Sequence, residues 1–387
     1  MKKRSFLKNT ALASVGLSTG SLVWQSCTPS TTQTDKSATS DPLTKNWAWI
    51  KPPSLWKMDH WKSKLALAKE SGIDAIVLEC YNSNATIYPH FNEDVPMRDN
   101  LLQDIIQICK SNDLEIHTWM WTVPCNIPQI ILKHPDWYAV NGLGQPAHTH
   151  PAYVNYYKFL DPCHPEVQEF IAGNARSLAQ VEGSDGVHLD YVRLPDVILA
   201  EALQPTYDIV QDKEYPEYDY NYSEHARTQF KEQTGIDPLK DLKDPAAHAE
   251  WRQFRYDSIT NLVNNHLLPE IKKEGKMATA AVFPNWESVR QQWHNWELDA
   301  YLPMLYHGFY NRDIDFIEEH TKKALARLDG KAPVYSGLYM PDIQPEQMAA
   351  AHQHALSAGA KGISIFALEN TTEPQWASLK ETLKKKA

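Results

Sequence analysis

Glycine is scarce in this chain, at 15 of 387 residues, and cysteine scarcer, at 5. Scarce glycine beside 13 tryptophans and 18 tyrosines excludes a disordered or low-complexity protein. No glycine-rich fingerprint follows the first apolar run, which disfavours an open nucleotide-binding sheet. A Gly-x-Ser-x-Gly elbow is also missing, and with it the usual mark of a Ser-His-Asp hydrolase. Positive charge is in deficit: 38 Lys and Arg stand against 48 Asp and Glu, for a net charge of −10. Such a balance leaves no broad surface for a nucleic-acid backbone. The apolar run at residues 10–24 is too short to span a bilayer comfortably.

That run follows the basic stretch Met1-Lys2-Lys3-Arg4-Ser5-Phe6-Leu7-Lys8 and has the layout of an export signal. The stretch resembles a twin-arginine signal with Lys3 in place of the first arginine. Cys27, just past the apolar run, resembles the lipidation site of a bacterial lipoprotein. Residues 28–44, rich in Ser and Thr over 28–40, read as a flexible tether. The expected organisation is therefore an export signal over 1–27, a tether over 28–44 and one folded domain over 45–387. The expected location is the periplasm, or the outer membrane or cell surface as a lipoprotein, with membrane contact only through a lipid on Cys27. Four further cysteines allow disulfides in an exported chain, and Cys125 with Cys163 is the pair to test first; Cys80 and Cys109 read as core.

From Trp47 onward short apolar runs alternate with amphipathic stretches. Strands are expected over 47–51, 75–81, 115–123, 186–194, 278–283, 300–306, 333–338 and 362–368, and helices over 56–71, 100–111, 165–181, 251–273, 313–328 and 345–358. About eight strand-helix units in one domain of this size predict a single (β/α)8 TIM barrel. Two connections, 126–161 and 196–249, exceed what a barrel needs, and long loops after barrel strands are where substrate sites are built.

The reactive groups of such a barrel stand at the C-terminal ends of its strands. The fourth strand, Asp185-Gly186-Val187-His188-Leu189-Asp190-Tyr191-Val192-Arg193-Leu194-Pro195, presents Asp190 there, with His188 and Arg193. The second strand brings Glu79; the third His117, Trp119 and Trp121; the fifth Asn285; the sixth Tyr306 and His307; the seventh Tyr339; the eighth Glu369. Cleaving a glycosidic bond needs one carboxyl to protonate the leaving oxygen and another to attack, or to activate water, while aromatic walls bind the sugar. Asp190 is the expected nucleophile, or the charge stabiliser if the reaction inverts, and the acid is Glu369, Glu79 or a residue on the long loops. The other groups named are expected to bind substrate. A structural ion pair between Asp190 and Arg193, and histidines satisfied inside the barrel, are the plainer alternatives. A divalent ion on His117, Glu79 and Asp190 lacks a tight motif such as His-x-His, so neither metal nor cofactor is expected.

These residues resemble the family-10-like glycosyl hydrolases, over most of the chain from Trp47 to Glu369. The resemblance rests on His134-Pro135-Asp136-Trp137, on Leu160-Asp161-Pro162 with Pro165-Glu166-Val167, on the fourth-strand motif, on Phe230 to Pro238 before Trp251-Arg252-Gln253-Phe254-Arg255 and on Pro303-Met304-Leu305-Tyr306. It implies a TIM-barrel glycosidase acting on polysaccharide or glycan, peptidoglycan strands among them, with Asp190 as the fourth-strand carboxylate. That strand is similar also to family 18 chitinases, whose motif ends Asp-Trp-Glu. Val192 occupies the acid position here, so the acid lies elsewhere in this chain, or the barrel binds carbohydrate without cleaving it.

Overall fold

The computed structural model describes residues 43–384, and the export signal with Cys27 and the tether as far as Pro42 lie outside them. In chain order the main elements are β1 (Trp47–Ile50), α1 (Met58–Glu70), β2 (Ala75–Tyr81), α2 (Leu102–Ser111), β3 (Glu115–Trp121), α3 (Pro128–Lys133), α4 (Pro165–Ala179) and β4 (Gly186–Asp190). There follow α5 (Glu224–Thr234), α6 (Ala249–Asn261), α7 (Leu268–Lys273), β5 (Met277–Val282), β6 (Ala300–Pro303), α8 (Phe316–Leu328), β7 (Tyr335–Tyr339), α9 (Met348–Ser357), β8 (Gly362–Phe366) and α10 (Glu373–Lys384).

The eight strands form one parallel sheet in the order β6-β5-β4-β3-β2-β1-β8-β7. Single bridges, Tyr301 to Val334 and Met304 to Gly337, join the two ends and bring the sheet round into a (β/α)8 barrel. A Cβ on Gly337 would stand 2.5 Å from the carbonyl oxygen of Pro303, so only glycine lets β7 approach β6 this closely. Gly186 meets the same demand inside the barrel, where a Cβ would come within 2.3 Å of the His117 ring.

Alternation along each strand divides the core in two. One set, including Trp47, Trp49, Val77, Trp119, Leu302 and Tyr335, packs together inside the barrel, while Ile50, Ile76, Leu78, Ile116, Val187 and Leu189 join the layer under the helices. Burying both faces explains why the strands read as unbroken apolar runs.

Three expectations need correction. The fourth strand stops at Asp190 rather than Leu194, because Tyr191 turns into the left-handed region at φ 50°. Cys125 and Cys163 form no disulfide: all four cysteines among the described residues are free and buried, Cys163 accepting a hydrogen bond from Asn221 Nδ2. Finally, the long stretch after β4 contains α5, capped by the Ser223 hydroxyl and ended by Gly235 in the left-handed conformation.

Candidate active site

At the C-terminal ends of the strands lies a cavity of about 460 Å³. That volume suits one or a few sugar rings rather than a polymer enclosed along its length. Of the expected site residues Asp190, Arg193, Trp119, Trp121, Asn285, Tyr306 and Tyr339 line it.

Asp190 ends β4 and is 8% exposed. Its Oδ1 accepts the Tyr191 N–H at 2.7 Å. Burial pushes its carboxyl up to about 6, although that N–H, Arg193 and Lys51 pull the other way, while the charge of Glu79 adds to the rise. Asp190 stands beside Trp121 in strand register, and Trp121 stacks on Tyr191 with ring centroids 4.3 Å apart. The turn after β4 thus carries Tyr191 and Arg193 into the cavity wall, where strict alternation would have sent them outward.

Two more carboxyls on neighbouring strand ends are not part of the lining. Glu79 accepts from Trp121 Nε1 and Asn82 Nδ2, each at 3.2 Å. Burial raises its pKa, opposed by Lys51, Asn82, Arg98 and Trp121. Glu369, in the short turn after β8, is pushed up to about 7 by burial, with backbone N–H groups of Glu369 and Lys51 and the Lys51 charge opposing. One of its oxygens is buried without a hydrogen-bond partner.

Arg193 departs from expectation. Its guanidinium pairs with Asp196 at 2.9 Å, donates to the Tyr157 hydroxyl at 3.1 Å, and lies near the rings of Tyr157, Phe159, Tyr191 and Phe283. It forms no ion pair with Asp190 and acts as the strut of one cavity wall.

The three histidines lie off the cavity lining. His188 is fully buried, sharing a hydrogen bond with Thr279 Oγ1 at 2.8 Å and meeting Trp49 edge to face. Burial holds its pKa well below the usual range, so it is a neutral filler of the barrel interior. His117 lies deeper, against Trp47 and 3.6 Å from Glu115 at the start of β3. Both histidines are too far down their strands to meet a ligand, because a barrel interior is packed in layers. His307, in the turn after β6, faces Asp342 and opposes the rise that burial imposes on that carboxyl. Among the described residues no three His, Cys, Asp or Glu side chains gather as metal ligands, so His117, Glu79 and Asp190 do not converge.

Sequence reasoning missed Lys51, Trp49, Tyr157 and Phe366, all in the lining. Lys51 was visible as the terminal residue of an expected strand, and Phe366 as a residue near the end of one. Tyr157 reaches the cavity from the connection after β3, a long loop expected to build the substrate site, though Tyr157 was not singled out within it.

The profile of a family described as Glycosyl hydrolase-like 10 matches residues 72–341. No curated protein matches the sequence. Among solved structures, the PgaB (BpsB) glycoside hydrolase domain from Bordetella bronchiseptica superposes with a TM-score of 0.66 at 15% identity, covering 89% of this chain and 99% of that one. The catalytic domain of β-amylase from Paenibacillus polymyxa gives 0.63 at 10% identity, over 89% of this chain and 98% of that one. β-Galactosidase from the psychrophilic Marinomonas ef1 gives 0.62 at 12% identity, over 88% of this chain and 59% of that one. At these identities the likeness is one of fold.

Proposed function

Since the chain belongs to the glycosyl hydrolase-like 10 family, we propose that it cleaves O-glycosidic bonds of a polysaccharide or glycan with two carboxyls and no cofactor. The observation that carries the reading is Asp190, a buried carboxylate on rigid strand backbone, aimed into an aromatic cavity and free of an ion pair. Asp190 is the nucleophile, or the base for water if the reaction inverts. Glu369 is the acid: with its pKa raised to about 7 and one oxygen unpartnered, it holds a proton near neutral pH. Trp121, Tyr306 and Tyr339 offer ring faces to the sugar, and Asn285 a polar contact.

Glu79 is the second candidate acid, because burial raises its pKa as well. Its bonds from Trp121 and Asn82 favour the ionised form, so it suits an electrostatic role better.

The test begins with a panel of polysaccharides and peptidoglycan strands and product analysis. Asp190→Asn should lose turnover by about 10³-fold or more while still binding the glycan, in keeping with the cost of removing a group that acts in the transition state. Full activity in that variant overturns the assignment; binding without turnover in the unaltered protein supports a carbohydrate-binding barrel instead. An aryl glycoside with a strongly acidic phenol needs no proton donor, so it should restore turnover to Glu369→Gln and not to Asp190→Asn. Restoration in Glu79→Gln alone would transfer the acid's role to Glu79.

A further inference from the structure

We propose that Lys51 is a positioning residue of this site, a fixed cation shared by Asp190, Glu79 and Glu369 that offsets the negative charge of all three carboxyls. The inference rests on the hydrolase reading for its consequence in catalysis, though not for its physical content.

The fold places Lys51 between the carboxyls. It directly follows β1, which pairs with β2 on one side and β8 on the other. Because Ile50 stands opposite Leu78, Lys51 is level with Glu79 on β2. On the other flank, Ala48 stands opposite Ile365, and the Lys51 N–H reaches the carboxyl of Glu369 beyond the end of β8. Asp190, two strands further along from β2, faces the same ammonium across the cavity that both residues line.

The ammonium is held by rings rather than by an acid. Its Nζ stands 5.1 Å from the centroid of Phe366 and 6.0 Å from those of Trp119 and Trp121. No carboxylate among the described residues comes within ion-pair distance of it. A direct ion pair would lock one acid in its charged form and take it out of proton transfer. A cation parked on aromatic faces instead acts on all three through space, in a pocket where Coulomb interactions are screened less than in water.

Other charges and phenols face the cluster from each surrounding element. Arg98 acts on Glu79 from the loop after β2, Arg193 on Asp190 from the turn after β4, and Tyr306 and Tyr339 adjoin from β6 and β7. Arg193 is already committed to Asp196, which leaves Lys51 as the uncommitted cation lining the cavity.

Lys51→Met and Lys51→Gln remove the charge; Lys51→Arg keeps it. With Asp and Glu carboxyl carbons labelled with carbon-13, NMR titration should show the Asp190 and Glu369 signals moving up by on the order of one pH unit in the Met and Gln variants. The Arg variant should titrate like the unaltered protein. On a hydrolysed glycan, both limbs of the pH profile of kcat/KM should move alkaline by the same amount in Met and Gln. Unshifted titrations in folded Met and Gln variants overturn the proposal, as does a rise in KM with unmoved limbs, which marks a simple substrate contact. Shifted titrations in a protein that cleaves no glycan uphold the role of Lys51 and reject the hydrolase reading.

Discussion

Asp190 owes its character to burial, and burial acts on stability as well as on chemistry. With its folded pKa at about 6 against an ordinary 3.8, the folded chain holds a proton more tightly than the unfolded one. The stability this contributes is complete below pH 3.8 and is lost as pH rises through about 6. Above pH 6 the ionised carboxylate is therefore a cost of about 3 kcal/mol at most. Asp190→Asn should stabilise the protein by up to that amount at pH 8 and leave it unchanged near pH 3, read by denaturant unfolding at both. On the proposed mechanism activity carries the opposite sign: Asp190 as base would be ionised above about 6 and Glu369 as acid protonated below about 7, so kcat/KM should peak between them. The place of Asp190 in the cavity lining was legible from sequence, because it stands near the C-terminal end of an apolar strand. The places of His117 and His188 were not, since alternation reveals which face of a strand a residue takes and nothing of its depth in the barrel.

Among elements, the strands were legible and the connections less so. Runs buried on both faces announce themselves, and all eight strands fall within a few residues of their expected places. The end of β4 was hidden, because the turn at Tyr191 depends on Asp190 Oδ1 capturing the next N–H, an interaction no periodicity carries. The helix α5 was hidden by its polarity, having only Ala226 and Phe230 buried. What anchors the stretch between β4 and α5 is a buried charge cluster: Asp219 binds both Arg255 of α6 and Arg290 of the turn after β5, and Arg290 also binds Glu214. Burial alone would raise Asp219, yet the two guanidiniums more than offset it and hold the carboxyl below its usual range. Asp219→Ala leaves two buried cations short of an anion and should cost about 3–5 kcal/mol, seen as a lowered melting temperature. Proteolysis should then begin in the 196–222 stretch, while an equal cost without local exposure would show that the cluster does not anchor that connection.

Across the whole molecule, acidic residues at the two ends of the barrel do opposite work. At the N-terminal end, Asp74, Asp185 and Asp299 each precede a strand and accept a backbone N–H from the neighbouring one, from Asn46 at 2.9 Å, Ile116 at 2.7 Å and Ala278 at 2.6 Å. Lys110 and Lys272 pair with the last two. These carboxylates tie strand to strand, although burial raises the pKa of Asp74 against the bond from Asn46. At the other end burial pushes Asp190 up to about 6 and Glu369 up to about 7, and one Glu369 oxygen has no hydrogen-bond partner, a pattern that suits the proposed chemistry and that stability resists. Asp185 and Asp190 bracket β4, so one short strand tests the division. Asp185→Ala removes a charge-assisted bond to backbone and a partly exposed ion pair, and should cost about 1–3 kcal/mol while leaving the pH limbs of kcat/KM in place. Asp190→Asn should do the reverse, losing turnover and gaining stability at pH 8. If Asp185→Ala moved the limbs, the two ends of the barrel would be coupled along the strand and the separation of fold from chemistry would fail.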